Sequence, residues 1–217
     1  METEKLTVEL QDVEIRQLEN GRPVIAGYAV VFDSWSQVMQ DNRGKPFRER
    51  FVPGAFDRTL SGAPDVRALW NHNPDKPLGR TRNNTLRLQV DGQGLRFELE
   101  PPANNWGADA VESIRRGDVS GMSFAFNIKN NGRDTWEKPG ADGIAHRTVI
   151  DADLYEVSPV TFPAYPATTV MVRSLSVPDF ETETETDGQA ADEIGEAARG
   201  RAAALLNRQL DLAEIEL

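Results

Sequence analysis

The chain has 217 residues, a formal net charge of -11, 39% hydrophobic residues, two histidines and no cysteine. The missing cysteines exclude disulfide scaffolds, thiolate-held zinc, iron–sulfur clusters and thiol nucleophiles, and two histidines are a thin basis for a metal site, so neither metal nor cofactor is expected. No run approaches the roughly 20 apolar residues of a membrane-spanning helix, METEKLTVELQ has no apolar signal core, and the acidic balance argues against phosphate contacts, so a protein with no membrane or nucleic-acid partner is expected, staying in the compartment where it is made.

In chain order, residues 5–16 (KLTVELQDVEIR) and 24–32 (VIAGYAVVF) read as the first strands, followed by a short helical piece after Pro53 (GAFDRTL). Residues 86–90 and 95–99 form a hairpin across Asp91-Gly92-Gln93-Gly94. Helical spacing of Ala108, Val111 and Ile114 predicts a helix over 105–116, ended by Gly117. Residues 119–128 (VSGMSFAFNI) and 147–160 complete the strands, which stop at Pro163 and Pro166. Short strands with this punctuation predict a mainly β body with a few helices, an antiparallel sandwich or barrel.

Charge marks a boundary near residue 178. From Pro178 onward eleven acids stand against Arg199, Arg201 and Arg208, a net of -8, whereas residues 1–177 carry only -3. The reading is a folded domain over 1–177, an acidic flexible linker over 178–193, where ETETETDGQ lacks apolar surface to bury, and an amphipathic helix over 194–217. Ala202, Leu206, Leu210, Ala213 and Leu217 form one stripe on that helix, suited to docking on a partner or on its own domain.

Three places in the body carry residues suited to catalysis. His72 closes the apolar run Leu69-Trp70-Asn71 ahead of Pro74, and its near-neutral titration suits a general base; a histidine satisfied by backbone groups is the commoner finding at such a place. Along 119–128, Met122, Phe124, Phe126 and Ile128 share the core-facing parity, while Ser123 lies with Gly121 and Ala125 on a face without bulk, open to an approaching backbone. Ser120 lies on the core parity and ranks below Ser123. Read as one strand, 147–157 puts Glu156 with Ile150, Ala152 and Leu154 on an apolar face, where a carboxylate needs a cationic or hydrogen-bonding partner such as an imidazole or, more often, an arginine.

The runs Gly27-Tyr28-Ala29, Phe51-Val52-Pro53-Gly54-Ala55-Phe56, Leu69-Trp70-Asn71-His72-Asn73 with Pro77-Leu78-Gly79-Arg80, Gly121-Met122-Ser123-Phe124-Ala125-Phe126, and Leu154-Tyr155-Glu156-Val157-Ser158-Pro159-Val160 with Pro163-Ala164-Tyr165-Pro166 resemble, in order, the HK97-type prohead proteases of tailed bacteriophages. The resemblance covers about residues 20–175. It implies a closed antiparallel β-barrel of the assemblin type with a C-terminal helical tail, and a serine endopeptidase active inside the assembling prohead in the bacterial cytoplasm. Its implied catalytic residues are His72, Ser123 and a third member at Glu156, with Asp153 in reserve and His146 the herpesvirus-like alternative; Ala125 stands where glycine is usual. The implied partners are the major capsid protein or its scaffolding segment, the protease itself through self-cleavage, and further copies in a homo-oligomer. The rival reading is a catalytically silent β-barrel part of the particle. An esterase with the same triad is weaker, because no Gly-x-Ser-x-Gly elbow is present.

Overall fold

Most of the apolar or alternating segments set off by Gly, Pro, Asn and Asp are strands in the computed structural model. The structure describes residues 4–9, 11–128, 132–161, 170–172 and 175–180. They run β1 (Glu4–Glu9), β2 (Gln11–Gln17), β3 (Pro23–Val31), β4 (Met39–Asp41), β5 (Pro46–Phe51), the short helix α1 (Asp57–Ser61), β6 (Arg67–Trp70) and β7 (Asn73–Arg80). A 3-10 turn at Thr81–Asn83 leads to β8 (Leu86–Val90), β9 (Gly94–Leu99), α2 (Asn105–Arg115) and β10 (Gly121–Asn127). The series ends with β11 (Arg133–Glu137), β12 (Ala145–Asp151), β13 (Asp153–Val160) and β14 (Val170–Val172). The expected linker and terminal helix, beyond residue 180, lie outside the described residues.

The strands make three sheets, ordered β1-β10-β13-β6-β7, β11-β12-β5-β4-β14 and β2-β3-β9-β8. The expectation of a purely antiparallel body is corrected: β12 with β5, β13 with β6, and β14 with β4 pair in parallel, because chain excursions return those strands beside earlier ones in the same direction. Two segments expected as single strands are also divided. Residues 5–16 split into β1 in the first sheet and β2 in the third. Residues 147–157 break at Ala152, where the chain leaves the second sheet for the first.

Contacts around α1 explain the second break. Ala152 N–H donates to the Ala55 carbonyl (2.8 Å) and Thr59 Oγ1 donates to the Ala152 carbonyl (3.0 Å), so both backbone groups of Ala152 bond the α1 region instead of a neighbouring strand. Arg58 on α1 reaches Asp151 (3.0 Å) on one side and Asp153 on the other. Asp151 and Asp153, joined through Arg58, thus form a clamp around a strand switch.

An aromatic cluster ties the first two sheets together. Phe51 of β5 lies 5.2 Å from Phe124 and 5.0 Å from Phe126 of β10, edge-on to both, and stacks on Phe56 at 5.4 Å. All four rings are buried, and each such pair adds about 0.5–1.5 kcal/mol beyond its area burial. In the third sheet, Gly94 meets β3 so closely that a Cβ would lie 2.0 Å from the Val30 carbonyl oxygen, which fixes glycine at the end of the β8–β9 turn. Asp91 shapes that turn by accepting from the N–H groups of Gln93 (2.8 Å) and Gly94 (3.0 Å), and its other oxygen accepts from Tyr28 Oη (2.6 Å).

A buried cation joins β1, β5, β11 and β12. Arg147 faces Glu49 (3.1 Å), Asp134 (2.8 Å) and Glu4. Arg147 and Glu49 are 2% and 3% exposed. Burial pushes the Glu49 carboxyl up to about 7 from its ordinary 4.5, against the pull of Arg147 and aided by the neighbouring Glu4 and Asp134. Between those two values the folded chain holds a proton that the unfolded chain has released, so this stability is present at low pH and lost as pH rises through the folded value. Glu49→Gln should therefore lose less thermal stability than the wild type between about pH 5 and about pH 7. Parallel Tm–pH curves would contradict this.

Candidate active site

The face that carries Ser123 is set by the β10–β13 register. Ser123 opposes Ser158, Ala125 opposes Glu156, and Phe126 opposes Leu154, so Tyr155 is an extra residue on β13. Without that bulge the alternation from Leu154 would turn Glu156 toward the core with Phe124; with it, Glu156 shares the face of Ser123 and Ser158. Diagonal neighbours of this kind are about 7–8 Å apart. Grouping Glu156 with Ile150, Ala152 and Leu154 was thus the wrong account of its surroundings, because the strand switch at Ala152 and the bulge at Tyr155 each reset the alternation.

His72 reaches this face from a tight turn. Asn71 and His72 connect β6 to β7 between the paired Trp70 and Asn73, and both have positive φ (51° and 58°), as a two-residue hairpin turn with the twist of its strands requires. Asparagine and histidine enter that region more readily than most non-glycine residues but still at a cost, so the turn must be held by its surroundings. The holding contacts are specific. Asn71 N–H donates to the Pro159 carbonyl (3.0 Å), Thr161 N–H donates to Asn71 Oδ1 (2.9 Å), and Asn71 Nδ2 donates to Thr161 Oγ1 (3.1 Å). The turn is thereby fastened to the end of β13, the strand that carries Glu156. His72 Nδ1 is hydrogen-bonded to Glu156 Oε1, both side chains being largely buried at 19% and 12% exposed.

Ser123 lies in the middle of β10 with no exposed surface, and its Oγ donates to the Leu6 carbonyl of β1 (3.0 Å). The expected open face beside it is covered by other parts of the fold: Ala125 is 3% exposed and Ser158 is fully buried. Ser120 precedes β10 and is exposed. The other candidates stand elsewhere. His146 belongs to the second sheet, opposite Arg48 and Glu137, with its ring edge-on to Trp35 at 4.9 Å. Asp153 is engaged by Arg58. Among the described residues no cluster of three or more His, Asp or Glu could hold a metal ion, and no helix is long and apolar enough to cross a membrane.

Two features of the site escaped sequence reading. The Leu6 carbonyl is a backbone group supplied by a strand 117 positions away, which no side-chain pattern announces. Ser158 was legible in principle, since it stands two residues after Glu156 and on the same face. Its Oγ is buried without a hydrogen-bond partner among the described residues.

A largely buried imidazole bonded through one nitrogen to a carboxylate, on a sheet whose same face carries a serine hydroxyl, has the components of acyl-transfer chemistry. The family model for the caudovirus prohead serine protease matches residues 11–183, and the chain belongs to that family. It is accordingly a hydrolase of the phage capsid-maturation class. Among solved structures, the bacteriophage T4 capsid assembly protease, gp21, is similar at 15% identity over 72% of this chain and 95% of that one, with a TM-score of 0.45. No curated protein matches.

The orphan hydroxyl of Ser158 yields a prediction. An unsatisfied buried hydroxyl costs about 1–3 kcal/mol, so Ser158→Ala should unfold at a denaturant midpoint equal to or above that of the wild type. A fall equivalent to about 1 kcal/mol or more would mean that the hydroxyl is satisfied in the native protein.

Proposed function

We propose that the chain is a Ser–His–Glu endopeptidase that cleaves the major capsid protein or its scaffolding segment, and its own tail, within the assembling prohead. The observation that carries this reading is the bond between His72 Nδ1 and Glu156, which leaves Nε2 as the ring nitrogen available to a hydroxyl. The Ser123–Ser158 pair brings a serine to the same sheet face. His72 takes the proton from Ser123 Oγ as the oxygen attacks the peptide carbonyl, and Glu156 orients the imidazole and stabilises its cation. The protonated imidazole then gives its proton to the departing amine. Water, deprotonated in turn by His72, hydrolyses the acyl-enzyme.

The barrel expected from the resemblance goes with this reading, supported by the shared Phe51–Phe124–Phe126 core between two of the sheets. The homo-oligomer and a tethering role for the acidic tail in the shell belong to the same proposal. One observation favours the non-catalytic reading instead: Ser123 is fully buried and its hydroxyl is already satisfied by Leu6. Variant activity separates the two.

Co-expression with the capsid precursor, read by fragment masses, should show no processing with Ser123→Ala or His72→Ala. Glu156→Gln should lower turnover by a factor on the order of 10² to 10⁴. His146→Ala should process normally. Processing that survives Ser123→Ala but fails with His146→Ala would overturn the assignment.

A further inference from the structure

β1 is the outer strand of its sheet, and the contacts it makes are those a bound peptide would make. It lies antiparallel on β10 with Leu6 opposite Phe124 and Thr7 opposite Ser123. Leu6 is buried at 6% exposure, and the Glu4 carboxylate engages the buried Arg147. Of the described strands, only β1 flanks β10 on the side away from β13. We propose that this edge of β10 is the peptide-binding edge of the enzyme, and that Glu4–Glu9 fills it in cis. The proposal rests on Ser123 as the nucleophile and adds the place where substrate lies and the segment that blocks it.

The Ser123–Leu6 contact indicates blockade and not reaction. A serine hydroxyl has one proton, and here it goes to the Leu6 carbonyl oxygen at 3.0 Å, so it is not shared with His72. Donation to a carbonyl oxygen also sets Oγ at the oxygen end of the C=O group. Attack needs Oγ over the carbonyl carbon, with the oxygen turned toward other donors. β1 therefore occupies the edge in an unreactive seat.

Withdrawal of β1 would uncover a row of backbone N–H and C=O groups along β10 beside Ser123, the surface on which an extended segment adds as a new strand. The same withdrawal leaves Arg147 with Glu49 and Asp134, so no buried charge is stranded by the exchange. The fitting partner is an extended peptide with an apolar residue where Leu6 sits and a carboxylate two residues earlier, where Glu4 meets Arg147.

The test uses the full chain with Glu4→Arg and Leu6→Asp, which oppose Arg147 and the apolar seat, in a Ser123→Ala background that removes chemistry. A fluorescein-labelled peptide of residues 4–9, EKLTVE, is titrated and followed by anisotropy. The released chain should bind it at least about tenfold tighter than the chain with native β1, because the cis occupant reduces the competent fraction. A peptide carrying lysine at the Glu4 position should lose that gain. Equal binding by both chains, or none by a released chain with a cooperative thermal transition, would make β1 a permanent structural strand and overturn the proposal.

If the released chain does not fold, a lock decides. The protein has no cysteine, so Lys5→Cys with Ala125→Cys, register partners, introduces a single disulfide. Oxidation should abolish turnover of a peptide substrate and reduction should restore it; equal turnover in both forms would overturn the blockade. An inactive reduced chain that nevertheless binds the labelled peptide would leave the binding edge standing; with Lys5→Cys alone active, the loss belongs to the thiol set beside Glu156, and with Lys5→Cys alone also inactive it counts against the proposed catalytic reading.

Discussion

The pairing of β10 with β13, including its one extra residue at Tyr155, is the constraint on which the site depends. A strand has only two faces, and a one-residue slip exchanges them. On one side of the bulge Leu154 lies with Phe126 in the core; on the other, Glu156 stands beside Ala125, on the face of Ser123. Regular pairing of Tyr155 with Ala125 would carry Glu156 to the core face and turn the buried Val157 out of it. The remaining contacts converge on holding that register. Phe124, Phe126 and Val157 anchor the core face, α1 clamps the entry to β13 at Ala152, and the Asn71 turn is fastened to its exit at Pro159 and Thr161.

The same geometry explains how a strained histidine is retained. A β6–β7 turn with two non-glycine residues at positive φ is intrinsically costly, at about 1–3 kcal/mol for each strained residue. The Asn71 hydrogen bonds and the bond from His72 to Glu156 offset that cost in the folded state, and each is made to β13 or the residue after it. The position of the imidazole is thus a property of the β6–β13 junction, and side-chain rotamer preference alone would not secure it.

Much of this was legible in the sequence, and the failures are of two kinds: phase breaks read across as continuous strands, and contacts with distant partners. The alternation of Met122, Phe124 and Phe126 located the core face of β10, the Asp91–Gly94 punctuation located its hairpin, and the apolar spacing over 105–116 located α2, because each depends on neighbours in sequence. Glu156 was singled out by a parity argument that the structure replaces. The residue shares a face with Ser123 because of the bulge, whose trace in the sequence is the three-residue step from Leu154 to Val157 where strict alternation would take two. The division of residues 5–16 did leave a trace: Leu6, Val8 and Leu10 share one parity and Val13 and Ile15 the other, a phase break across Gln11-Asp12 beside the point where the chain changes sheets. Parallel pairing, the covering of Ser123 by β1, and the Arg147 hub depend on partners distant in the chain and became visible only with the fold.

The central claim is that Ser123 is the nucleophile activated by His72 on this face of the sheet. The most direct measurement is the reaction of a fluorophosphonate with the chain whose β1 is released by Glu4→Arg and Leu6→Asp, beside the chain with native β1, followed by proteolysis and mass mapping of the adduct. The account predicts a single phosphonylated residue, Ser123, whose labelling is lost with His72→Ala. A modified serine other than Ser123, or labelling of Ser123 that is equally fast without His72, would contradict it.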